Sequence, residues 1–389
     1  MNTELPNIIL VSDTVFDSNG VSRFIHDMAK FAPSYGSRFN VITSSPLETY
    51  GFSDNILNVK SLLSIRMPFY KEQFISVIPP FWRLFNEVRA FNPDVIHIST
   101  PGSLGICALL IAKMLNIKVV GTYHTDFPSY IYQNTKKEFM LAATRGYMRF
   151  FYQKLDKVFA RSQQNLKILE TEIHVNAENL VEIRAGTDIE AFSPSFASET
   201  IWATYDIDKN AVKLLYVGRL SVEKNFDFLL DLFQRYRTNS DKKVVLVAVG
   251  EGSRLKEKER LKEEGIYLLG RKKGEELSRI YASSDLFVFP SVTETLGQAV
   301  MEAAASGLSA VVSNQGGVTQ SVEHGVNGYC VDTNNELLWL EKMDELICNG
   351  SLRREMGQSA RAKMEGRSIK SSCEQFLKQH DFELREKRG

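Results

Sequence analysis

Cysteine is scarce in this chain. Its four cysteines, Cys107, Cys330, Cys348 and Cys373, are spread over 389 residues and form no metal-ligand spacing. They are expected to be reduced thiols of a cytoplasmic protein. An excess of either charge is missing too: Lys+Arg and Asp+Glu both number 47. Nothing in that balance attracts nucleic acid. No apolar run is long enough to span a bilayer, the longest being Leu104 to Ala112. Met1 to Pro6 lead straight into the strand-like Asn7-Ile8-Ile9-Leu10-Val11, so no leader is expected. These absences predict a cytoplasmic location and leave open peripheral contact with the inner face of the cytoplasmic membrane. The G-x-G-x-x-G fingerprint is absent after the first strand, which disfavours dinucleotide binding.

What remains is an ordinary soluble composition, 43% hydrophobic and 24% charged, in a chain whose length suits two domains. Short apolar runs alternate with helical spacings. Ile8–Val11, Phe39–Thr43, Asp94–Ile98, Lys118–His124, Val212–Val217, Val244–Val249 and Ile266–Gly270 read as strands of parallel sheets. The alternation predicts an α/β protein with two doubly wound, Rossmann-like domains, whose ligands bind beyond the carboxyl ends of the strands. The expected division is 1–194 for the first domain, 195–366 for the second, and a terminal helix over 367–389.

The stretch from Pro290 to Gly307, PSVTETLGQAVMEAAASG, stands out. It follows the apolar Phe287-Val288-Phe289, turns, and enters a helix near Leu296-Gly297. A helix N-terminus at a strand end favours an anion through its free N–H groups and its dipole. The turn at Thr295, Leu296 and Gly297 can therefore hold a phosphate. Glu294 and Glu302, with seven residues between them, can accept hydroxyls of a sugar or ribose.

Glu294-x7-Glu302 resembles the E-x7-E motif of the retaining, GT-B-type glycosyltransferases of family four. The resemblance implies that Glu294 holds the donor sugar and Glu302 the ribose. It continues along nearly the whole chain. Gly20, after the first strand, matches a glycine of the loop near donor phosphates and acceptor, although many members have two glycines where this chain has Asn19-Gly20. His124-Thr125-Asp126-Phe127-Pro128-Ser129-Tyr130 resembles the HTDFPxY stretch of bacterial mannosyl- and glucosyltransferases and the HTHxPxY stretch of sulfoquinovosyl-lipid synthases. That implies His124 against the donor sugar and Asp126 near the acceptor hydroxyl. Gly218-Arg219-Leu220-Ser221-Val222-Glu223-Lys224-Asn225 resembles G-R-L-x-x-E-K-[GN], and Gly250-Glu251-Gly252 matches G-[DE]-G. Arg219 and Lys224 can stabilise a leaving diphosphate without a metal. Arg271 and Lys272 fall in the loop that stacks on the base in this family. Departures are Leu296 for the usual Phe, Gln320 for an acid, His324 for Asp, and Ala185 where Asn or Arg is frequent.

The implied reaction moves a hexose of mannose or glucose type from a nucleotide-diphosphate sugar to an acceptor hydroxyl, with no cofactor and no metal. Asp206-Ile207-Asp208 has the D-x-D form that holds a metal in another class of glycosyltransferases, but its polar linker setting reads as a turn or cap. From Lys136 to Arg161 the chain reads as one long helical stretch, with seven basic residues, two acidic ones and interleaved aromatics. It is either a core helix with a solvated basic back, or a face that docks on an anionic membrane carrying a lipid or lipid-linked acceptor. Competing readings are a nucleotide-sugar epimerase of the same fold, a transferase with a soluble acceptor, a sugar-nucleotide-binding protein without turnover, and a glycosidase using both glutamates.

Overall fold

The computed structural model describes residues 5–16, 20–46, 53–66, 74–124, 126–294 and 296–388. The chain forms two compact units, Met1–Arg184 with Lys370–Gly389, and Ala185–Ile369.

The first unit is built on β1 (Ile8–Ser12), β2 (Phe39–Thr43), β3 (Ile56–Asn58), the separate antiparallel pair β4 (Leu63–Arg66) and β5 (Phe74–Ile78), then β6 (Val95–Ile98), β7 (Lys118–Tyr123), β8 (Lys157–Ala160) and β9 (Leu180–Glu182). Seven of these make one parallel sheet in the order β3-β2-β1-β6-β7-β8-β9. Every residue of β1, β6 and β7 is buried, as expected of strands covered by helices on both faces. The order reverses between β1 and β6, so the loops after these neighbours part and leave a crevice at their carboxyl ends.

The second unit repeats this scheme with β10 (Val212–Val217), β11 (Val244–Val249), β12 (Ile266–Leu268), β13 (Leu286–Phe289), β14 (Ala310–Ser313) and β15 (Gly328–Val331). Their order is β12-β11-β10-β13-β14-β15, all parallel, with the reversal between β10 and β13. Both units are thus α/β and doubly wound.

Two expectations are corrected. Residues 185–194, assigned above to the first domain, belong to the second unit. The cause is backbone pairing: Thr187 N–H donates to Arg367 O and Ile369 N–H to Thr187 O, each at 2.9 Å. The stretch 136–161 is also not one helix. A helix Phe127–Thr135 ends at Lys136, whose φ of 54° is left-handed and whose N–H caps Tyr132 O at 2.7 Å. A second helix runs Glu138–Tyr152, and the chain then turns into β8, where the Asp156 carboxylate accepts from Val119 N–H at 2.8 Å. No glycine or proline marks the end at Tyr152, so the apolar spacing ran on through Leu155, while Val158–Ser162, which also reads as a strand, falls on β8.

The terminal helix Ile369–Arg388 packs on the first sheet. Phe376 is fully buried, with its ring 5.0 Å from His97, 5.5 Å from Phe24 and 6.1 Å from Phe159. His380 Nε2 meets His97 Nδ1 at 3.0 Å, His97 Nε2 meets the Thr122 hydroxyl at 2.8 Å, and His380 Nδ1 reaches Phe376 O at 2.7 Å. One proton per ring satisfies this chain, so both histidines fit it as neutral groups. Burial lowers both, His97 well below its ordinary range and His380 to about 4.

Candidate active site

In the second unit the turns after β10 and β13, the strands on either side of the reversal, are tied together. Tyr216 Oη donates to Arg219 O at 2.7 Å, and Leu220 N–H donates to Glu251 O at 2.8 Å. These bonds shape the Gly218–Lys224 turn. Gly250 supports it from β11: its φ is +154°, and a Cβ there would stand 1.8 Å from Gly218 O. No other residue fits so close a backbone contact. Arg219 is half exposed and pairs with Glu223 one turn on. Lys224 Nζ lies 2.6 Å from Glu294 Oε1, and both side chains are mostly buried. The Thr293 hydroxyl donates to Glu223 O at 3.1 Å. Arg219, Lys224 and Glu294 are thereby brought into one cluster from segments about seventy residues apart.

Glu294 is held at its backbone as well, where its carbonyl accepts from Gly317 N–H at 2.7 Å. Thr295 lies outside the described residues. Leu296 is half-buried, and Gly297, at φ +71°, turns the chain into the helix Gln298–Ala305. A Cβ on Gly297 would stand 2.9 Å from Val318 Cγ1, so both conformation and space call for glycine. Glu302, on that helix, is 4% exposed and accepts from Tyr281 Oη at 3.0 Å. Arg271 is exposed just beyond β12, whereas Lys272 is engaged by Glu276 at 2.8 Å and by the Tyr205 ring at 5.1 Å. Among the departures, His324 Nδ1 accepts from Cys330 N–H at 3.2 Å, and Gln320 O accepts from Arg367 at 3.1 Å. Both brace the fold locally.

In the first unit, Gly20 opens the helix Gly20–Phe31, and a Cβ there would meet nothing within 4 Å. Packing therefore does not explain this glycine. His124 sits at the end of β7, with Nε2 2.8 Å from the Ser99 hydroxyl. Burial, helped by the charge of Arg161, pushes it down to about 3. The imidazole is neutral near pH 7 and can exchange hydrogen bonds with a ligand without bringing charge. Asp126 caps the helix Phe127–Thr135: its Oδ1 accepts from Ser129 N–H at 3.3 Å and from Tyr123 Oη at 3.2 Å.

Two families match the chain. The one described as "Glycosyltransferase Family 4" covers residues 18–191, and "Glycosyl transferases group 1" covers residues 198–363. Among curated relatives, the sulfoquinovosyl transferase SQD2 of Arabidopsis thaliana is 28% identical over 89% of this chain and 67% of its own length. A GDP-mannose-dependent alpha-mannosyltransferase of Corynebacterium glutamicum is 28% identical over 85% of this chain and 78% of its own. The alpha-monoglucosyldiacylglycerol synthase of Streptococcus pneumoniae is 26% identical over 77% and 69%. The crystal structure of Anabaena HepE in complex with UDP-glucose superposes with a TM-score of 0.73, at 18% identity, over 96% of this chain and 99% of that one.

The chain is a family-four glycosyltransferase with the GT-B fold.

Within this glycosyltransferase, two residues near the named sites escaped the sequence reading. Tyr281 grips Glu302, and nothing in a helix repeat marks it as a partner of a residue twenty-one positions on. Asp13 lies buried at the end of β1, where its Oδ2 accepts from the Thr100 hydroxyl at 3.0 Å and its Oδ1 from Leu104 N–H at 3.4 Å. Burial pushes its carboxyl up to about 6, against those two bonds. An acid directly after the first strand was the available signal. Asp206 and Asp208 occupy a turn: Asp206 bonds Lys262 at 3.0 Å, and Asp208 accepts from Asn210 N–H at 2.9 Å. Among the described residues no group of three or more His, Cys, Asp or Glu could hold a metal ion, and no helix is long and apolar enough to cross a membrane.

Proposed function

We propose that this glycosyltransferase moves a hexose, of glucose or mannose type, from a nucleotide-diphosphate sugar to an acceptor hydroxyl with the α-configuration retained. The observation that carries the reading is the cluster of Arg219, Lys224 and Glu294 at the reversal of the second sheet. When the bond from C1 of the sugar to the diphosphate breaks, negative charge collects on the departing phosphate. Arg219 and Lys224 offer fixed cations to it, and Glu223 and Glu294, which pair with them, hold them in place. The acceptor oxygen forms the new bond to C1, and its proton passes to a donor phosphate oxygen. Glu294 accepts a sugar hydroxyl and Glu302 the ribose. His124, neutral, hydrogen-bonds the sugar. No step calls on a divalent metal.

Support for the donor comes from the nucleotide sugars named for the Corynebacterium and Anabaena proteins. A panel of UDP- and GDP-hexoses, followed by release of the free nucleotide, tests it. Glu302→Ala is expected to weaken nucleoside diphosphate binding, and Glu294→Ala to weaken the intact donor selectively. Equal losses for both ligands in both variants overturn the division.

The acceptor we infer is a membrane lipid or lipid-linked glycan, in line with the diacylglycerol in the name of the Streptococcus relative. The helix Glu138–Tyr152 exposes Phe139 (65%) and Phe150 (58%), and the first unit also exposes Trp82 (69%) and Leu62 (76%). Such aromatics suit an interface. The basic charge contributes less than composition implied, because Arg145 pairs with the Glu172 carboxylate and Arg149 donates to Glu172 O at 3.2 Å. Flotation with anionic and neutral liposomes tests this. Binding is expected to fall in Phe139→Ser with Phe150→Ser more than in Arg145→Glu. Indifference to anionic liposomes at low salt points to a soluble acceptor.

A further inference from the structure

The carboxyl end of the first sheet holds a cation that the chemistry above does not use. Arg161 follows β8, and the register Tyr123↔Ala160 sets it beside His124 after β7. Its guanidinium carbon is 4.6 Å from the centre of the Phe24 ring, and the same ring lies 5.7 Å from that of His124. Phe24 belongs to the helix that Gly20 opens. The three side chains therefore share the functional end of the sheet.

Arg161 is distinctive in what it lacks. Its Nε is enclosed and has no hydrogen-bond partner, and the guanidinium makes no hydrogen bond or ion pair to any described residue. Arg145 and Arg149 also have enclosed, unbonded Nε atoms, but their terminal nitrogens reach Glu172. For Arg161, Asp27 contributes attraction without a contact, and the His124 imidazole is neutral. Burial lowers the guanidinium to about 10, which leaves it charged at physiological pH. The residue as a whole is half-buried, but a ring face offsets only part of the cost of desolvating the enclosed part of a cation. The missing counter-charge is one that a ligand can bring.

We propose that Arg161 anchors an anion site at the carboxyl end of the first sheet, for a phosphate-class oxyanion carried by a substrate. The planar fork of arginine matches two phosphate oxygens, and the neutral His124 beside it offers a further hydrogen bond. The site deepens the proposed function and rests on it in one respect, that the anion belongs to a transfer substrate. Two sources share the chemistry: a phosphate on the acceptor, or one of the donor.

Calorimetry with inorganic phosphate and with UDP, on the whole protein, decides. Arg161→Gln is expected to weaken phosphate binding on the order of tenfold or more, the scale of a charge-assisted pair, while Arg219→Ala leaves one phosphate site intact. Unchanged UDP affinity in Arg161→Gln assigns the anion to the acceptor, and a parallel loss assigns it to the donor. Without ligand, Arg161→Met is expected to melt at the same temperature as the parent or higher, because it removes an uncompensated charge and keeps the bulk. The site is overturned by absent phosphate binding in the parent, by equal binding in Arg161→Gln, or by a lower melting temperature in Arg161→Met with phosphate binding intact. If Arg219→Ala leaves UDP affinity unchanged, the proposed function fails while the phosphate result still judges the anion site.

Discussion

The two units carry their charge in opposite ways. In the second, both cations of the proposed diphosphate cluster already have a carboxylate, Lys224 with Glu294 and Arg219 with Glu223. In the first, Arg161 has none among the described residues, and the histidines beside or below it are neutral. A site whose charges are compensated keeps its geometry when empty. A site with an unmatched cation binds more strongly whatever anion completes it, and its empty form is less stable for it. The same scaffold, two parallel sheets with a reversal of strand order, accommodates both arrangements.

The sharpest way to break this comparison is to remove a cation from the second unit. Lys224→Ala is expected to lower turnover by about 10²–10³, the scale of losing one preorganised electrostatic contact. Because Lys224 touches Glu294, the double variant with Glu294→Ala is expected to lose less than the product of the single losses. Initial rates with a fixed donor measure both; additive losses would mean the pair acts as two independent groups.

The next largest effect concerns what holds the first unit together. Phe376→Ala removes a fully buried ring from the terminal helix and is expected to cost about 3–5 kcal/mol. Segment-resolved amide exchange should show the loss over the first sheet and spare the second.

Acid separates the units more gently. His97, His124 and His380 are held below their ordinary range by burial, His124 at about 3 and His380 at about 4. Between roughly pH 6.5 and 4 the unfolded chain binds protons there that the folded chain refuses, so stability falls with pH at about 1.4 kcal/mol per unit for each proton. Asp13, pushed up to about 6, works the other way, holding in the folded state a proton that the unfolded chain releases above 3.8. His26 is lowered by burial as well, so four histidines against one carboxyl leave the first unit acid-sensitive. Exchange measured across this range should open the first sheet before the second; simultaneous opening contradicts the histidine account.

The smallest effect is expected at Asp206 and Asp208. Their ion pairs are exposed, and alanine at either is expected to change stability by under about 0.5 kcal/mol. Activity should also be indifferent to a chelator; loss on chelation and recovery with magnesium or manganese would refute the metal-free proposal.

Much of the second unit could be read in advance because its site is written locally. Gly218–Lys224 occupies one strand-to-helix turn, and Glu294 ends another that leads into the helix carrying Glu302, so spacing already fixes which groups share a segment, while their roles are what the resemblance implies. Alternating apolar runs likewise sufficed for two doubly wound sheets, since parallel strands buried on both faces must be continuously apolar. The sequence also marked Gly20 at a helix start and His124 and Asp126 just past a strand, with their roles implied by the resemblance. Other features depended on partners far along the chain. The terminal helix meets the first sheet through His97 and His380, which are 283 positions apart. Residues 185–194 joined the second unit through Thr187 and residues 367–369. The helix read from Lys136 ends at Tyr152, although the apolar spacing continues to Leu155. The isolation of Arg161 is likewise a property of its surroundings, for no stretch of sequence records which carboxylates fail to reach it. Local chemistry determined what each turn can do; packing between distant segments decided which charges are paired, which are neutral and which are left for a ligand.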